Sequence, residues 1–313
     1  MHNMKILITG VHGFVGSNLV KALSKDNIIY GLDIIDPVKE GVKFTFKWED
    51  LDKEGMVPEM DAIIHLAGKA HDTKNQSAAD VYFKVNRDLT IKMFDYFCAH
   101  QNIKKFVFFS TAKAAADKVD GILTEDVVPS PVGPYGESKI AAEKYIQENL
   151  IDGKQVYILR PCMIHGPGNK GNLNLLYGVV KKGIPWPLGA FENRRTFTSI
   201  DNLCFVIDGL LTKNVPTGIY NMGDDEALST NELIEEICKS LGKKAHIWKL
   251  PKGLMNGVAK IGGMLHLPLD PERLRKLTEN YISSNAKIKK ALGVEKMPVD
   301  ARKGLQRTLE SFK

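Results

Sequence analysis

The sequence predicts an α/β fold: a doubly wound parallel sheet carrying a smaller C-terminal α/β lobe. Three observations predict it. Short β-branched, near-continuously apolar runs recur at 5–9, 28–32, 62–66, 106–110 and 156–160, as expected for strands covered on both faces. Between them lie stretches with apolar residues three and four apart, and such alternation implies right-handed crossovers in a single parallel sheet. After Pro161 the rhythm loosens, and Pro161, Gly166, Pro167, Gly168, Gly171, Gly183, Pro185, Pro187 and Gly189 crowd the passage into a second lobe.

Taken in order, Phe14, Leu19, Val20 and Leu23 make the apolar face of a first helix. Ile91, Phe94, Tyr96 and Phe97 populate a second face, and Ile140, Tyr145 and Ile146 a third. Short strands at 218–222 and 246–250 then interleave with helices near 229–241, 253–265 and 299–312. The stretch 250–269 is apolar, with Leu254, Val258, Ile261 and Leu265 along one helical face. That face is expected to pack within the smaller lobe. A helix lying on a membrane surface is the alternative, opposed by Lys252 and Lys260 being its only cations.

The 313 residues can bury on the order of 75% of the unfolded surface, so neither disulfide nor metal is needed to hold the fold. Hydrophobic content of 43% with 26% charged residues excludes a disordered, collagenous or fibrous chain. A net charge of +6 suits an anionic small ligand and is too weak to argue for nucleic acid. Cys98, Cys162, Cys204 and Cys238 lie far apart in apolar stretches, which reads as buried, reduced thiols and no metal site. The chain opens straight into Lys5-Ile6-Leu7-Ile8-Thr9, without a signal peptide, and no apolar run reaches the length of an integral membrane segment. A cytoplasmic protein is expected.

Gly10-Val-His-Gly13-Phe-Val-Gly16 follows the first strand and opens the first helix. Gly10 permits the tight turn, Gly13 lets backbone N–H groups approach a pyrophosphate, and Gly16 lets helix pack close on strand. The pyrophosphate then sits on the positive helix N-terminus, at Phe14 and Val15. Strand two ends at Asp33, where a carboxylate can accept both ribose hydroxyls of an adenosine and repels a 2′-phosphate, so charge favours NAD over NADP. Asp36 is read as a turn residue before Pro37. Residues 1–168 are therefore a Rossmann-type dinucleotide-binding domain, to which about 196–224 return. Residues 169–195 and 225–313 form the substrate lobe.

Pro131-x-x-Pro134-Tyr135-Gly136-Glu137-Ser138-Lys139 is the sharpest feature. On a helix Tyr135 and Lys139 are four apart and share a face. An ammonium near a phenol favours phenolate and lowers its pKa toward a value useful for proton transfer. The same Lys139 can hydrogen-bond a nicotinamide ribose.

Together, the glycine loop, Asp33 and the Tyr135/Lys139 pair resemble the extended short-chain dehydrogenase/reductase family, in particular its nucleotide-sugar epimerases and dehydratases. The resemblance covers nearly the whole chain. It implies that Asp50-Leu51 contacts adenine and that Leu66, Ala67 and Gly68, after His65, lie against the cofactor. It further implies cofactor-binding positions for Asn86 and Pro161. Thr111, after Ser110, matches the catalytic Ser or Thr. Leu159-Arg160-Pro161 and Gly166-Pro167-Gly168 match the entry into the substrate lobe. Asn172-Leu173 matches a uridine-diphosphate-contacting pair, and Arg195 a diphosphate-binding arginine, a task suited to a bidentate guanidinium. Arg273 or Arg275 is a looser match for a second phosphate contact, with Arg273 preferred.

Two departures narrow the reading. Ala112-Lys113 stand where 4,6-dehydratases of the family carry their Asp-Glu acid and base. Ala114-Ala115-Ala116 replaces a Val-Tyr-Gly and leaves Lys113 in an unusual place. The resemblance thus implies a 4-epimerase of a UDP-hexose or UDP-N-acetylhexosamine, in which Tyr135 takes the 4-hydroxyl proton, Thr111 holds the 4-oxygen and Lys139 sets the phenol. The alternative is one-way reduction of a UDP-4-keto-6-deoxy sugar by the same residues. A non-catalytic dinucleotide sensor is a third class, but such proteins typically lose the Tyr-Lys pair. The expected partner is a UDP-sugar, with a homodimer possible through a helical face.

Overall fold

Each of the five near-continuous apolar runs of the first half is a strand, within a residue at either end. The computed structural model describes residues 3–69, 78–169, 171–265 and 269–313. The first half runs β1 (Lys5–Thr9), α1 (Phe14–Leu23), β2 (Ile28–Leu32), β3 (Val42–Phe46), β4 (Ala62–His65), α2 (Ala79–Tyr82), wide π-type turns at Phe83–Asp88, then α3 (Leu89–Ala99). β5 (Lys105–Phe109), α4 (Ala112–Ala115), β6 (Ile122–Leu123), α5 (Pro134–Glu148) and β7 (Gln155–Pro161) follow. The second half holds β8 (Met163–His165), α6 (Asn172–Lys181), β9 (Phe197–Ser199), α7 (Ile200–Thr212), β10 (Gly218–Met222) and α8 (Thr230–Ser240). It closes with α9 (Lys252–Met264), α10 (Pro271–Thr278), β11 (Ile282–Ser283), α11 (Ala286–Leu292) and α12 (Ala301–Glu310).

Among the described residues, seven strands form one parallel sheet in the order β10-β7-β5-β4-β1-β2-β3. Successive side chains alternate across a strand, so each apolar run feeds two cores. Ile6, Ile8, Ile64, Val107 and Leu159 face α1, α7 and α11, while Leu7, Ile63, Phe106, Phe108 and Ile158 face α3 and α5. The chain winds outward from β1 to β3, then returns to place β4 on the other side of β1. Ligands bind at such a switch point, outside the carboxyl ends of the strands.

Four sequence expectations need correction. β3 was not foreseen, because this edge strand exposes Lys43 and Phe44 and lacks a continuous apolar run. Residues 246–250 form only isolated bridges, Ile247 with Trp186 and Lys249 with Leu188. Ile288, Leu292 and Met297, assigned to the substrate lobe, pack in the core beneath the main sheet. On α9 the packing is reversed: Met255, Ala259 and Gly262 are buried against the lobe, and Leu254, Val258, Ile261 and Leu265 are exposed. Residues 266–268 of that stretch lie outside the described residues. All four cysteines are free thiols, with Cys162 and Cys238 buried and Cys98 and Cys204 only half-buried.

Candidate active site

The turn after β1 is built for close approach. Gly10 has φ +67°, and a Cβ there would lie 3.1 Å from the Ala67 nitrogen; a Cβ on Gly16 would lie 2.4 Å from the Gly10 carbonyl oxygen. Gly13 caps α1 without a side chain, and no acid stands in the first turn. The first N–H groups of a helix have no partner within it, so Phe14, Val15 and Gly16 present donors at its positive end. Beside them, the buried His12 Nε2 has no hydrogen-bond partner among the described residues. Asp33, at the end of β2, accepts the His12 N–H at 3.0 Å and the Ile34 N–H at 2.8 Å, tying the acid to the loop. An uncapped helix start, close-packed glycines and an orphaned imidazole nitrogen fit a dinucleotide phosphate.

Beneath the switch point runs a fully buried polar chain. Thr9 Oγ1 accepts the N–H groups of Leu66 (3.1 Å) and Ala67 (2.9 Å) and pairs with His65 Nδ1 at 2.7 Å. Thr90 donates to the Asn86 carbonyl at 2.7 Å, so His65 Nε2 must be its donor, at 3.0 Å. Burial, with help from the charge of Lys139, pushes the His65 pKa down to about 3, so the imidazole stays neutral. Asn86 is likewise fully buried. It accepts the Lys69 N–H at 2.7 Å and donates to the Lys69 carbonyl and Ser138 Oγ, both at 3.1 Å. Asn86 thereby ties the 66–69 turn to α5, with its side-chain oxygen and nitrogen both engaged. Asp50 faces Lys47 N–H (2.9 Å) and the Lys53 ammonium (2.8 Å), which holds its carboxyl below the ordinary value. Leu51 packs beside it on the edge of the core.

At the end of β5, Ser110 and Thr111 diverge. Ser110 donates to Glu143, which is fully buried and also receives Arg160 Nε at 3.0 Å. Thr111 caps α4 and lies near enough to the Tyr135 phenol to favour its ionised form. Lys139, one turn further along α5, donates to the Phe109 carbonyl at 2.8 Å, and burial lowers its pKa to about 8. Burial raises the Tyr135 pKa, with Thr111 acting against it and Tyr82, whose ring is 6.4 Å away, adding to it. Lys139 is not among the groups that shift the Tyr135 phenol, so the depression expected from it is not found. Pro161 ends β7, buried at the rim of the same cleft.

The second lobe closes the cleft from the other side. Arg195 is half-buried, bridged by its backbone to Leu228 and Tyr281, and donates to the Lys276 carbonyl. Arg275 reaches Asp117 (3.3 Å) and Glu279 (2.9 Å). Lys113 reaches the same two acids (3.4 and 3.7 Å) and lies 4.7 Å over the Tyr281 ring. Glu279 also neighbours Arg195. Arg275 thus joins the cluster, whereas the preferred Arg273 points away, exposed beside Asp270 at 3.7 Å, because two positions along a helix turn a side chain to the opposite side. Leu173 is a core residue of the lobe rather than a surface contact, and Asn172 stands exposed at the start of α6. Arg194 pairs with Glu232 at 2.7 Å on the surface. Sequence reasoning missed Glu143, Asp117 and Glu279. Only Glu143 was visible, four residues past Lys139 on the same helix face.

The geometry agrees with what the chain is similar to. The family model for the NAD-dependent epimerase/dehydratase family matches residues 6–223. A UDP-glucose 4-epimerase of Vibrio cholerae is 31% identical over 79% of this chain and 78% of its own. An N-acetyl-α-D-glucosaminyl-diphospho-undecaprenol 4-epimerase of Escherichia coli O157:H7 is 26% identical over 98% and 95%. The Bordetella bronchiseptica enzyme WbmG, solved with NAD, superposes at a TM-score of 0.78 with 19% identity, over 99% of this chain and 94% of that one. With the glycine loop at the switch point and the Thr111, Tyr135 and Lys139 side chains gathered beside it, the chain belongs to the NAD-dependent epimerase/dehydratase family.

Proposed function

We propose that the protein is a nucleotide-sugar 4-epimerase acting on a UDP-hexose or UDP-N-acetylhexosamine through a transient 4-keto sugar. The observation that carries the proposal is the gathering of Thr111, at the end of β5, near the Tyr135 phenol, one helical turn from Lys139. NAD, the family's cofactor, supplies a hydride acceptor and donor at sugar C4 when bound. Gly10, Gly13, Phe14, Val15 and Gly16 take its pyrophosphate and Asp33 its adenosine ribose, with Asp50, Leu51, Leu66, Ala67, Gly68 and Pro161 shaping the walls. Tyr135 accepts the 4-hydroxyl proton and later returns it, a role worth ~10²–10⁴-fold in rate. Thr111 holds the 4-oxygen, and Lys139 positions the ribose and steadies the phenolate. Arg195, with Asn172 at the mouth, receives the diphosphate.

4,6-Dehydration is not proposed, since Ala112 and Lys113 stand where it needs an acid and a base. One observation favours a second reading, reduction of a UDP-4-keto-6-deoxy sugar. The Lys113–Asp117–Arg275–Glu279 cluster joins the two halves of the chain beside Thr111, and a one-way reduction, unlike an epimerisation, does not require the sugar to turn over against it. The E. coli relative is named for a sugar diphosphate on a polyprenyl carrier, and the same diphosphate handle serves either carrier.

The test is to release cofactor from purified protein and to assay UDP-hexoses, a UDP-4-keto sugar and a lipid-linked sugar diphosphate in parallel. Retained NAD with interconversion of the UDP-hexoses is expected; empty protein that consumes NADH only with the keto sugar supports the reductase instead. Tyr135→Phe should bind NAD normally and lose at least ~10²-fold in turnover. Near-normal turnover of that variant overturns the mechanism.

A further inference from the structure

The outer face of α9 and the segment leading into it form a surface of a kind that a monomeric lobe does not need. Leu254, Val258, Ile261 and Leu265 are 55%, 44%, 58% and 63% exposed, Met264 is 79% exposed, and Trp248 is 53% exposed just upstream. The four aliphatic residues fall at i, i+4, i+7 and i+11, a stripe of ~16 Å along one side of the helix. The helix does not lack packing, since Met255, Ala259 and Gly262 fill the lobe on another side. The stripe is a second apolar face left to solvent.

Charge decides what suits it. Residues 237–269 contain Lys239, Lys243, Lys244, Lys249, Lys252 and Lys260 and not one Asp or Glu. All six lysines are exposed. Their sum equals the +6 of the entire chain, so the rest of the molecule is balanced. The acids on the neighbouring α10 are already engaged, Asp270 with Arg273 (3.7 Å) and Glu272 with Lys276 (2.7 Å). A second copy is a poor occupant, because two such faces would set like charges against each other. Nucleic acid is a poor one too, because the exposed apolar groups are mostly aliphatic and offer little for bases to stack on.

We infer that α9 and the lysine-rich segment before it dock the protein on an anionic lipid bilayer surface. The apolar stripe and Trp248 sink into the boundary between headgroups and acyl chains, and the lysines meet anionic headgroups. The chain would lie on the membrane, not cross it: no helix among the described residues is long and apolar enough to span one.

The experiment is co-sedimentation of the full chain with vesicles of phosphatidylcholine alone and of phosphatidylcholine with about one third phosphatidylglycerol. Binding to the anionic vesicles only, with release at high salt, is expected. Each lysine taken from such a surface weakens partitioning about fivefold. The triple variant Lys249→Glu/Lys252→Glu/Lys260→Glu should therefore lose at least ~100-fold. Leu254→Ser/Ile261→Ser/Leu265→Ser, which touches no buried residue, should lose at least ~10-fold. Trp248 emission should shift to the blue on binding, and Trp248→Phe should remove that shift. Equal partitioning onto neutral and anionic vesicles, or binding unchanged in both triple variants, overturns the inference. So does a wild-type dimer that the serine variant converts to monomer without vesicle binding, which would make the face a contact between copies. None of these readouts needs turnover.

Discussion

The two walls of the cleft are held by different physics. On the cofactor wall, Thr9, His65, Thr90, Asn86 and Ser138 form a buried chain of neutral hydrogen bonds between strands fixed in register. On the sugar wall, Lys113, Asp117, Arg275 and Glu279 form a network of charges that remain 12–31% exposed, and its Arg275–Asp117 pair spans 158 residues of sequence. In a dry, low-dielectric site an unpaired group costs much, so the first wall is rigid. Exposed pairs are screened and contribute little each, so the second can open and close at small cost. The proposed epimerisation, with a cofactor that stays and a sugar that exchanges, needs that difference.

The largest test removes a buried charge beneath the first wall. Arg160→Met leaves the Glu143 carboxylate unpaired in the core and should cost about 3–5 kcal/mol in denaturant unfolding. Adding Glu143→Gln should recover part of the loss. A cost below about 1 kcal/mol would show that water reaches this pair and that the wall is not dry.

A second test uses pH. The unfolded chain protonates His65 near 6.5, whereas the folded chain resists until about 3. Between those values the unfolded state holds the extra proton, so stability should fall as pH is lowered through this window, by up to ~1.4 kcal/mol per unit. His65→Gln should flatten that part of the stability-versus-pH curve, measured by chemical unfolding at each pH. An unchanged slope would place the acid sensitivity elsewhere.

On the sugar wall, Arg195→Ala should weaken UDP by about tenfold to a hundredfold, the loss of a charge-assisted contact of ~1.5–3 kcal/mol. Arg195→Lys should restore only part, since a point charge cannot reproduce the fork. Calorimetric titration of UDP, with Arg194→Ala and Arg273→Ala as unaffected controls, reads this directly. Equal affinity in wild type and Arg195→Ala would mean that the diphosphate lies elsewhere.

The smallest effect should come from the inter-lobe cluster. Asp117→Asn should change stability by only ~0.2–1 kcal/mol, and by less at high salt. A larger, salt-independent loss would erase the contrast between the walls.

Most of the first wall was legible in the sequence because it follows from short-range rules. A glycine-spaced turn after an apolar strand, an acid at the end of the next strand and a tyrosine one helical turn from a lysine each fix a local geometry within a few residues. Thr111 rather than Ser110 could be chosen by position, and strand alternation turns the one toward Tyr135 and the other toward Glu143. The roles inside that frame were less legible. Asn86 holds a turn to a helix and Leu173 packs in the core of the lobe, and neither partnership can be read from local spacing.

The sequence by itself therefore determined six of the seven sheet strands, the helices α1, α3 and α5, and the spacing of Tyr135 and Lys139. Tertiary structure alone decided which arginine of α10 joins the cleft and which face of α9 is buried. Periodicity identifies a helix with apolar residues on two sides but cannot rank them. The side with Ala259 and Gly262 won because small residues let α9 lie close to α10, where Pro271 would stand only 3.1 Å from a Cβ at Gly263. The bulkier stripe of Leu254, Val258, Ile261 and Leu265 could not approach so near, and was left facing outward.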